Sequence, residues 1–245
     1  METLLKESAE LIKKSSYNIA FTGSGISVES GIPSFRGEDG IWSKYDPMSL
    51  ELSYFHANPR ASWAVIKEIF YDYFGVAKFN RAHEVLGLME QKGMLECIIT
   101  QNIDNLHQEA GNTVVYEFHG NSKKLVCTAC QSHFDVEESV FRNIPPACVK
   151  CEGLLKPDFI FFGEQIPPDA YMASMKAAGK AKVCLVVGTT GEVMPANQIP
   201  VIAKQSGATI IEVNPEKSML TDRITDIWLR GKASEVMDKL AGLLF

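Results

Sequence analysis

The 245-residue chain predicts an α/β protein: a doubly wound parallel sheet interrupted by a smaller lobe that carries a cysteine ribbon. Three observations predict it. Short apolar runs alternate with amphipathic helical patterns along most of the chain. One run, Val183–Val187, is apolar at every position, as a strand covered on both faces requires. Two Cys-x-x-Cys pairs, Cys127/Cys130 and Cys148/Cys151, stand 17 residues apart and mark an inserted unit.

The elements follow in order. Leu4–Lys14 is helical, with Leu4, Leu5, Leu11 and Ile12 on one stripe. Strand Asn18–Thr22 runs into Gly23-Ser24-Gly25-Ile26-Ser27. Glycines there let the backbone turn and offer N–H groups to a pyrophosphate at a helix N-terminus. Val28 holds the place of the third glycine of a dinucleotide fingerprint, so a plain strand-to-helix turn stays open. Gly31–Gly37 reads either as a solvated loop or as a flap whose Phe35 and Arg36 close over a cofactor. Aromatic-rich helical patterns continue to about residue 79, and Asn80–Gly93 is a further helix.

Strand Cys97–Thr100 ends in Gln101-Asn102-Ile103-Asp104, at the carboxyl end where open parallel sheets bind ligands. Asp104 also reads as the N-cap of a helix over Asn105–Ala110. Val114–Phe118 leads into His119, an imidazole suited to take a proton near neutral pH, or else a hydrogen-bonded structural residue. His56, His83, His107 and His133 lie in helical or ribbon patterns. Strand Lys182–Val187 leads into Gly188-Thr189-Thr190-Gly191, where small hydroxyls suit phosphate or ribose oxygens. Helix Pro195–Ser206 follows, then strand Ala208–Val213 with Asn214-Pro215-Glu216 at its end, and helix Ala233–Leu244. Bland turns do not require polar groups at each strand end.

Cys-x₂-Cys-x₁₇-Cys-x₂-Cys is the spacing of a structural zinc ribbon, four thiolates closing a tetrahedral Zn²⁺ with no position for water. The metal is therefore expected to be structural. Cys97 and Cys184 sit in apolar runs and read as core residues. A net charge of −6 argues against nucleic acid as the main partner, since phosphate binding needs a basic face. The start shows no secretory apolar region, and no apolar run approaches a membrane span. A reducing, cytoplasmic setting is expected, where four such cysteines hold metal rather than pair as disulfides.

Taken together, Gly23–Ser27, Gly31–Arg36, Thr100–Asp104, His119-Gly120, the four cysteines, Phe162-Gly-Glu164, Gly188–Thr190 and Gly231–Ala233 resemble a sirtuin of the bacterial and archaeal type. Sirtuins are NAD-dependent protein-lysine deacylases. The resemblance runs from about residue 7 to the C-terminus. It implies a Rossmann-like NAD-binding domain of residues 1–33, 84–123 and 156–245. It also implies a cofactor-loop and helical insertion of 34–83 and a zinc-ribbon domain of 124–155. Gly23, Ser24, Gly25, Phe35 and Arg36 would line the cofactor site. Gln101, Asn102, Ile103 and Asp104 would hold the nicotinamide ribose and amide, with His119 as general base and Asn102 beside it in catalysis. Gly188, Thr189, Thr190, Asn214, Glu216, Lys232 and Ala233 would surround the adenosine half.

An acetyl-lysine protein or peptide would dock as an added strand. It would lie between Phe162-Gly163-Glu164 and Glu192-Val193-Met194, with Ile160 and Phe161 lining the acyl tunnel. Its acyl group would pass to ADP-ribose, releasing nicotinamide and O-acetyl-ADP-ribose. Three departures from the family pattern stand out. Ser24 replaces the usual Ala, and Gly191-Glu192 replaces a Leu-containing run. Ile66 and Ile69 occupy the places where succinyl-preferring members carry Tyr-x-x-Arg, so acetyl or longer apolar acyl groups are expected over succinyl. Mono-ADP-ribosyl transfer and a non-catalytic zinc-ribbon binding module are the competing readings.

Overall fold

A computed structural model describes residues 1–35 and 40–245. Its strands are β1 (Asn18–Thr22), β2 (Cys97–Thr100), β3 (Val115–Glu117), β4 (Gly120–Cys127), β5 (His133–Asp135), β6 (Leu155–Phe159), β7 (Val183–Val187), β8 (Thr209–Asn214) and β9 (Ile227–Arg230). Its α-helices are α1 (Glu2–Lys14), α2 (Ile41–Lys44), α3 (Leu52–Ala57), α4 (Pro59–Ile66), α5 (Arg81–Gln91), α6 (Leu106–Glu109), α7 (Pro168–Ala178), α8 (Gln198–Gln205) and α9 (Ala233–Leu244).

The large sheet is parallel throughout, in the order β3-β2-β1-β7-β8-β9. That order reverses between β1 and β7, the place where doubly wound sheets open a ligand crevice. β1 and β7 are buried at every position, which is why their sequences show no alternation. One face of the sheet is covered by α1, α5 and α9 through Leu5, Val85, Met89 and Leu240. The other is covered by α7 and α8 through Ala177, Ala178, Ile199 and Ala203. Cys97 and Cys184 lie in the second of these cores, as expected.

The small sheet is antiparallel, β5-β4-β6, and extends from Gly120 to Phe159. It does not have a core of its own. Leu125, Leu155, Phe159 and Phe161 pack with Leu50, Phe55, Trp63 and Ile66 of the helical segment. The indole N–H of Trp63 donates to the Leu155 carbonyl at 2.8 Å. Ribbon and helical insertion are thus halves of one lobe.

Several elements differ from the sequence reading. The turn after β1 continues as a 3₁₀ helix, Ser24–Ser30, closed by Gly31 at φ +89°, not as an α-helix. The α8 helix starts at Gln198, later than Pro195, and α6 is shorter than Asn105–Ala110 at both ends. Strand β9 and helix α7 were not legible. β9 is four residues at the sheet edge, and α7 buries only Ser174, Ala177 and Ala178, too small to mark a stripe. β6 was hidden because Lys156 and Pro157 break its apolar run.

Candidate active site

A cleft of about 870 Å³ runs along the carboxyl ends of β1, β2, β7 and β8 and reaches the segment after β6. The loops after β1 and β7 meet at its floor. Gly23 N donates to Val187 O (3.1 Å) and Gly25 N to Gly188 O (2.8 Å). A Cβ on Gly25 would lie 2.7 Å from Gly188 Cα, and Gly188 has φ +65°. These glycines therefore permit backbone to touch backbone, which accounts for them without a complete dinucleotide fingerprint. Gly23, Ser24, Gly25, Gly188, Thr189 and Thr190 all line the cleft.

Beyond β2, Gln101 Nε2 donates to Thr189 Oγ1 at 3.0 Å. Asn102 is buried, and its Nδ2 donates to Gly23 O and Ser27 Oγ, both at 3.2 Å. Its Oδ1 is left without a partner among the described residues, on the wall of the cleft. His119, two residues beyond β3, lines the same cleft, with Nδ1 3.0 Å from the Gln101 carbonyl. A carbonyl only accepts, so Nδ1 carries the proton and Nε2 keeps its lone pair. Burial lowers the His119 pKa below the ordinary 6.5, and the Gln101 carbonyl opposes this in part. A neutral imidazole with a free Nε2 is a general base in its working form.

On the far side of the cleft lie Asn214, Glu216, Lys232 and Ala233, with Glu216 paired to Arg230 at 3.3 Å. On the near side are Phe35, Ile103, Ile160, Phe161, Phe162, Gly163 and Val193. With Trp42, Leu50, Phe70 and Phe159 they give this end apolar, aromatic walls. Phe162 and Met194 are half-exposed or more at the rim, at 48% and 63%.

One of the expected residues is not on this wall, and another cannot be placed on it. Asp104 does not line the cleft; it is half-buried, facing a second, smaller cavity, and accepts from Ser27 Oγ at 2.7 Å and Leu106 N at 3.1 Å. Its pKa is raised by burial against the pull of those two bonds. Asp104 thus tethers the 3₁₀ turn to the start of α6, close to the capping role its spacing allows. Arg36 lies outside the described residues.

Lys156 was missed, and with it the pairing of Glu164, which the sequence placed only in the docking loop. The Lys156 ammonium is buried, donates to Pro157 O (2.9 Å) and Phe159 O (2.7 Å), and pairs with Glu164 at 3.0 Å. Glu164 in turn accepts from Phe161 N at 2.6 Å. The pair stitches the loop after β6 to its own strand, and Ile160 N ties that loop to the His119 carbonyl at 2.8 Å. A lysine before a proline reads as surface, so the sequence carried no signal for it.

The four cysteine sulfurs all lie within 4.8 Å of one another. Cys127 to Cys151 is 3.5 Å and Cys130 to Cys148 is 3.8 Å. A tetrahedron with Zn–S of about 2.3 Å has edges of about 3.8 Å, so the donor set fits Zn²⁺. Each knuckle closes the same way, with Gln131 N donating to Cys127 O and Glu152 N to Cys148 O. Gln131 and Glu152 both have positive φ. A Cβ on Gly153 would press on the Cys127 and Cys151 sulfurs at 3.0 and 3.2 Å.

Comparison with known proteins agrees with this geometry. The Sir2 family model matches residues 23–195. NAD-dependent protein deacetylase 1 of Pyrobaculum aerophilum is 42% identical over 98% of this chain and 96% of its own length. NAD-dependent protein deacylase of Pyrococcus furiosus is 44% identical over 97% and 96%. Among solved structures, a mutant Sir2 homologue complexed with ADP-ribose superposes with TM-score 0.93 at 40% identity, covering 97% of this chain and 95% of its own. A Sir2 homologue–NAD complex does so at 0.91 and 41%, covering 100% and 93%, and a Sir2–p53 peptide–NAD complex at 0.90 and 33%, covering 97% of each. With crevice, imidazole, thiolate cluster and full-length identity in agreement, this chain belongs to the Sir2 family.

Proposed function

We propose that the chain is an NAD-dependent protein-lysine deacetylase, passing the acyl group of a modified lysine to ADP-ribose with release of nicotinamide and O-acetyl-ADP-ribose. The observation that carries this reading is the position of His119. Its ring stands where the polar crevice meets the aromatic chamber, with Nδ1 occupied and Nε2 free. NAD would supply the labile bond between nicotinamide and ribose. The chain's own residues hold and orient. Ser24, Thr189, Thr190, Asn214, Glu216, Lys232 and Ala233 would hold the adenosine and phosphate half, and Phe35 and Arg36 would form the flap over the cofactor. Gln101, Asn102 and Ile103 would hold the other half, Asn102 through its Oδ1. Asp104 would act from behind, through the turn it tethers.

His119 would accept at Nε2 a proton from a ribose hydroxyl, and the apolar walls would exclude water from the reacting atoms. Two bound substrates held in line account for much of the rate, so no nucleophilic side chain is needed. The acetyl-lysine peptide would add as a strand between Phe162-Gly163 and Val193, with Ile160 and Phe161 around the acyl group. No cation lines the apolar end among the described residues, and Ile66 and Ile69 are buried, which supports acetyl or longer apolar acyl groups over succinyl.

Cys127, Cys130, Cys148 and Cys151 would hold one structural Zn²⁺. The same reading keeps residues 1–33, 84–123 and 156–245 as the nucleotide domain, 34–83 as the helical insertion and 124–155 as the ribbon. It also keeps a cytoplasmic location; among the described residues no helix is long and apolar enough to cross a membrane.

The test incubates zinc-loaded protein with an acetyl-lysine peptide, with and without NAD, and follows products by mass. Free lysine peptide, nicotinamide and O-acetyl-ADP-ribose in equal amounts are expected. ADP-ribose attached to protein, with the acetyl group retained, would establish ADP-ribosyl transfer instead. A second arm compares acetylated and succinylated forms of one peptide, and faster desuccinylation would refute the apolar-pocket reading.

A further inference from the structure

Asn214, at the end of β8, spends both hydrogens of its side-chain amide on fixed partners. Nδ2 donates to the Thr189 carbonyl at 2.9 Å and to Glu212 Oε1 at 2.9 Å. A carbonyl has no proton to give. Glu212 is an acceptor at each of its other contacts as well, taking hydrogens from Thr221 Oγ1 (2.9 Å) and Thr225 Oγ1 (2.7 Å) on Oε2. Three donors converging on one carboxylate leave the Asn214 amide a single orientation. Its Oδ1 is therefore the atom offered to the cleft. Glu212 is fully buried and pairs with no cation among the described residues. A buried carboxylate is costly to keep. The two threonines use only Oε2, and a neutral side chain would suffice to staple their turn to β8.

We propose that Glu212 is a positioning residue that holds Asn214 as an acceptor-only group and so selects a dinucleotide with a free ribose hydroxyl over one phosphorylated at that ribose. The proposal rests on the reading of this cleft as the NAD site. An amide oxygen backed by a buried carboxylate bonds a hydroxyl that donates. A phosphate ester in its place brings acceptors and negative charge against both. Exchange of Glu212 for glutamine, nearly the same shape, puts a group that can donate as well as accept beside Asn214, removes the carboxylate behind it and leaves the Thr189 carbonyl as the one fixed acceptor that holds the amide.

The test is titration calorimetry of zinc-loaded protein with NAD, ADP-ribose and NADP. Wild-type protein is expected to favour NAD over NADP by at least about a hundredfold. Glu212→Gln should weaken ADP-ribose binding about tenfold, the value of a well-placed hydrogen bond, and narrow the NAD/NADP ratio. Asn214→Ala should show the same loss, and adding Glu212→Gln to it should cost nothing more, because Glu212 acts through Asn214. Thr221→Val with Thr225→Val cuts the staple alone; it should lower the melting temperature and leave the NAD/NADP ratio as it was.

Unchanged NAD affinity or an unchanged ratio in Glu212→Gln overturns the proposal. So does an additive loss in the double variant, or a ratio that follows the threonines. Failure of wild-type protein to bind any of the three nucleotides would instead overturn the nucleotide-site reading, and this proposal with it.

Discussion

One contact determines how His119 behaves. Because Nδ1 is committed to the Gln101 carbonyl, the ring presents a lone pair, and because it is buried its pKa falls below 6.5. The neutral form is then the working form, and it persists to lower pH than for an ordinary imidazole. On a profile of kcat/KM between pH 5 and 8, the acid limb should have its midpoint below 6.5; a midpoint at or above 6.5 counts against His119 as the base. His119→Ala should lower kcat by roughly 10²–10⁴ with zinc content and melting temperature unchanged. The place of His119 was legible because it closes a strand run where a sheet binds ligands, and its role as base came from the family resemblance. Its tautomer was not, since that depends on a carbonyl 18 residues away in sequence. Nor was the tether made by Asp104, whose partner Ser27 is 77 residues away.

At the scale of the element, the loop after β6 is the part most dependent on distant chain. Lys156 and Glu164 hold it from within, and two bonds hold it from outside: Phe162 N to Leu50 O and Leu52 N to Phe162 O. Lys156→Met would strand Glu164 without its cation. A fully buried pair broken this way loses about 3–5 kcal/mol, and the partial exposure of Glu164 brings the expectation to about 2 kcal/mol. The peptide KM should rise about tenfold or more, the NAD affinity should stay within about twofold, and Lys156→Arg should restore much of the loss. Parallel loss of both substrates would mean general unfolding instead.

The ribbon is a second such element. Cys148→Ala should abolish zinc binding and unfold the segment, since the metal contributes roughly 10–16 kcal/mol to isolated finger peptides; metal analysis and protease sensitivity of residues 120–159 check it. The cysteine spacing disclosed the ribbon directly. Its strands were hidden, because β6 carries a lysine and a proline in its middle.

For the whole molecule, buried histidines set the response to acid. Burial lowers the His83 pKa to about 3 and the His107 pKa well below 6.5. Both groups are neutral in the folded state and take up a proton near 6.5 once unfolded. The unfolded state binds more protons over that window, so their contribution is complete above about pH 6.5 and is lost as pH falls toward 3. Each histidine adds up to about 1.4 kcal/mol per pH unit to the slope. His107→Gln, which keeps a donor for Thr22 Oγ1, should flatten the dependence by about that amount in urea unfolding between pH 4 and 6. An unchanged slope would show that His107 is not the group titrating.

The architecture at this scale was legible in outline, because β1 and β7 are covered on both faces and read as unbroken apolar runs. That the ribbon and helical insertion share one interior was not, since a sequence reports which faces are apolar but not which faces meet.

That shared interior has a consequence for biosynthesis. Trp63 meets its acceptor on Leu155, 92 positions later, and β1 gains its second neighbour only when β7 has been made. While the ribosome is still adding the middle of the chain, the aromatic residues of the helical segment have nothing to close over. Nascent chains arrested just short of residue 155 should therefore bind holdase chaperones and be cut readily within residues 41–76, and those released past residue 187 should resist.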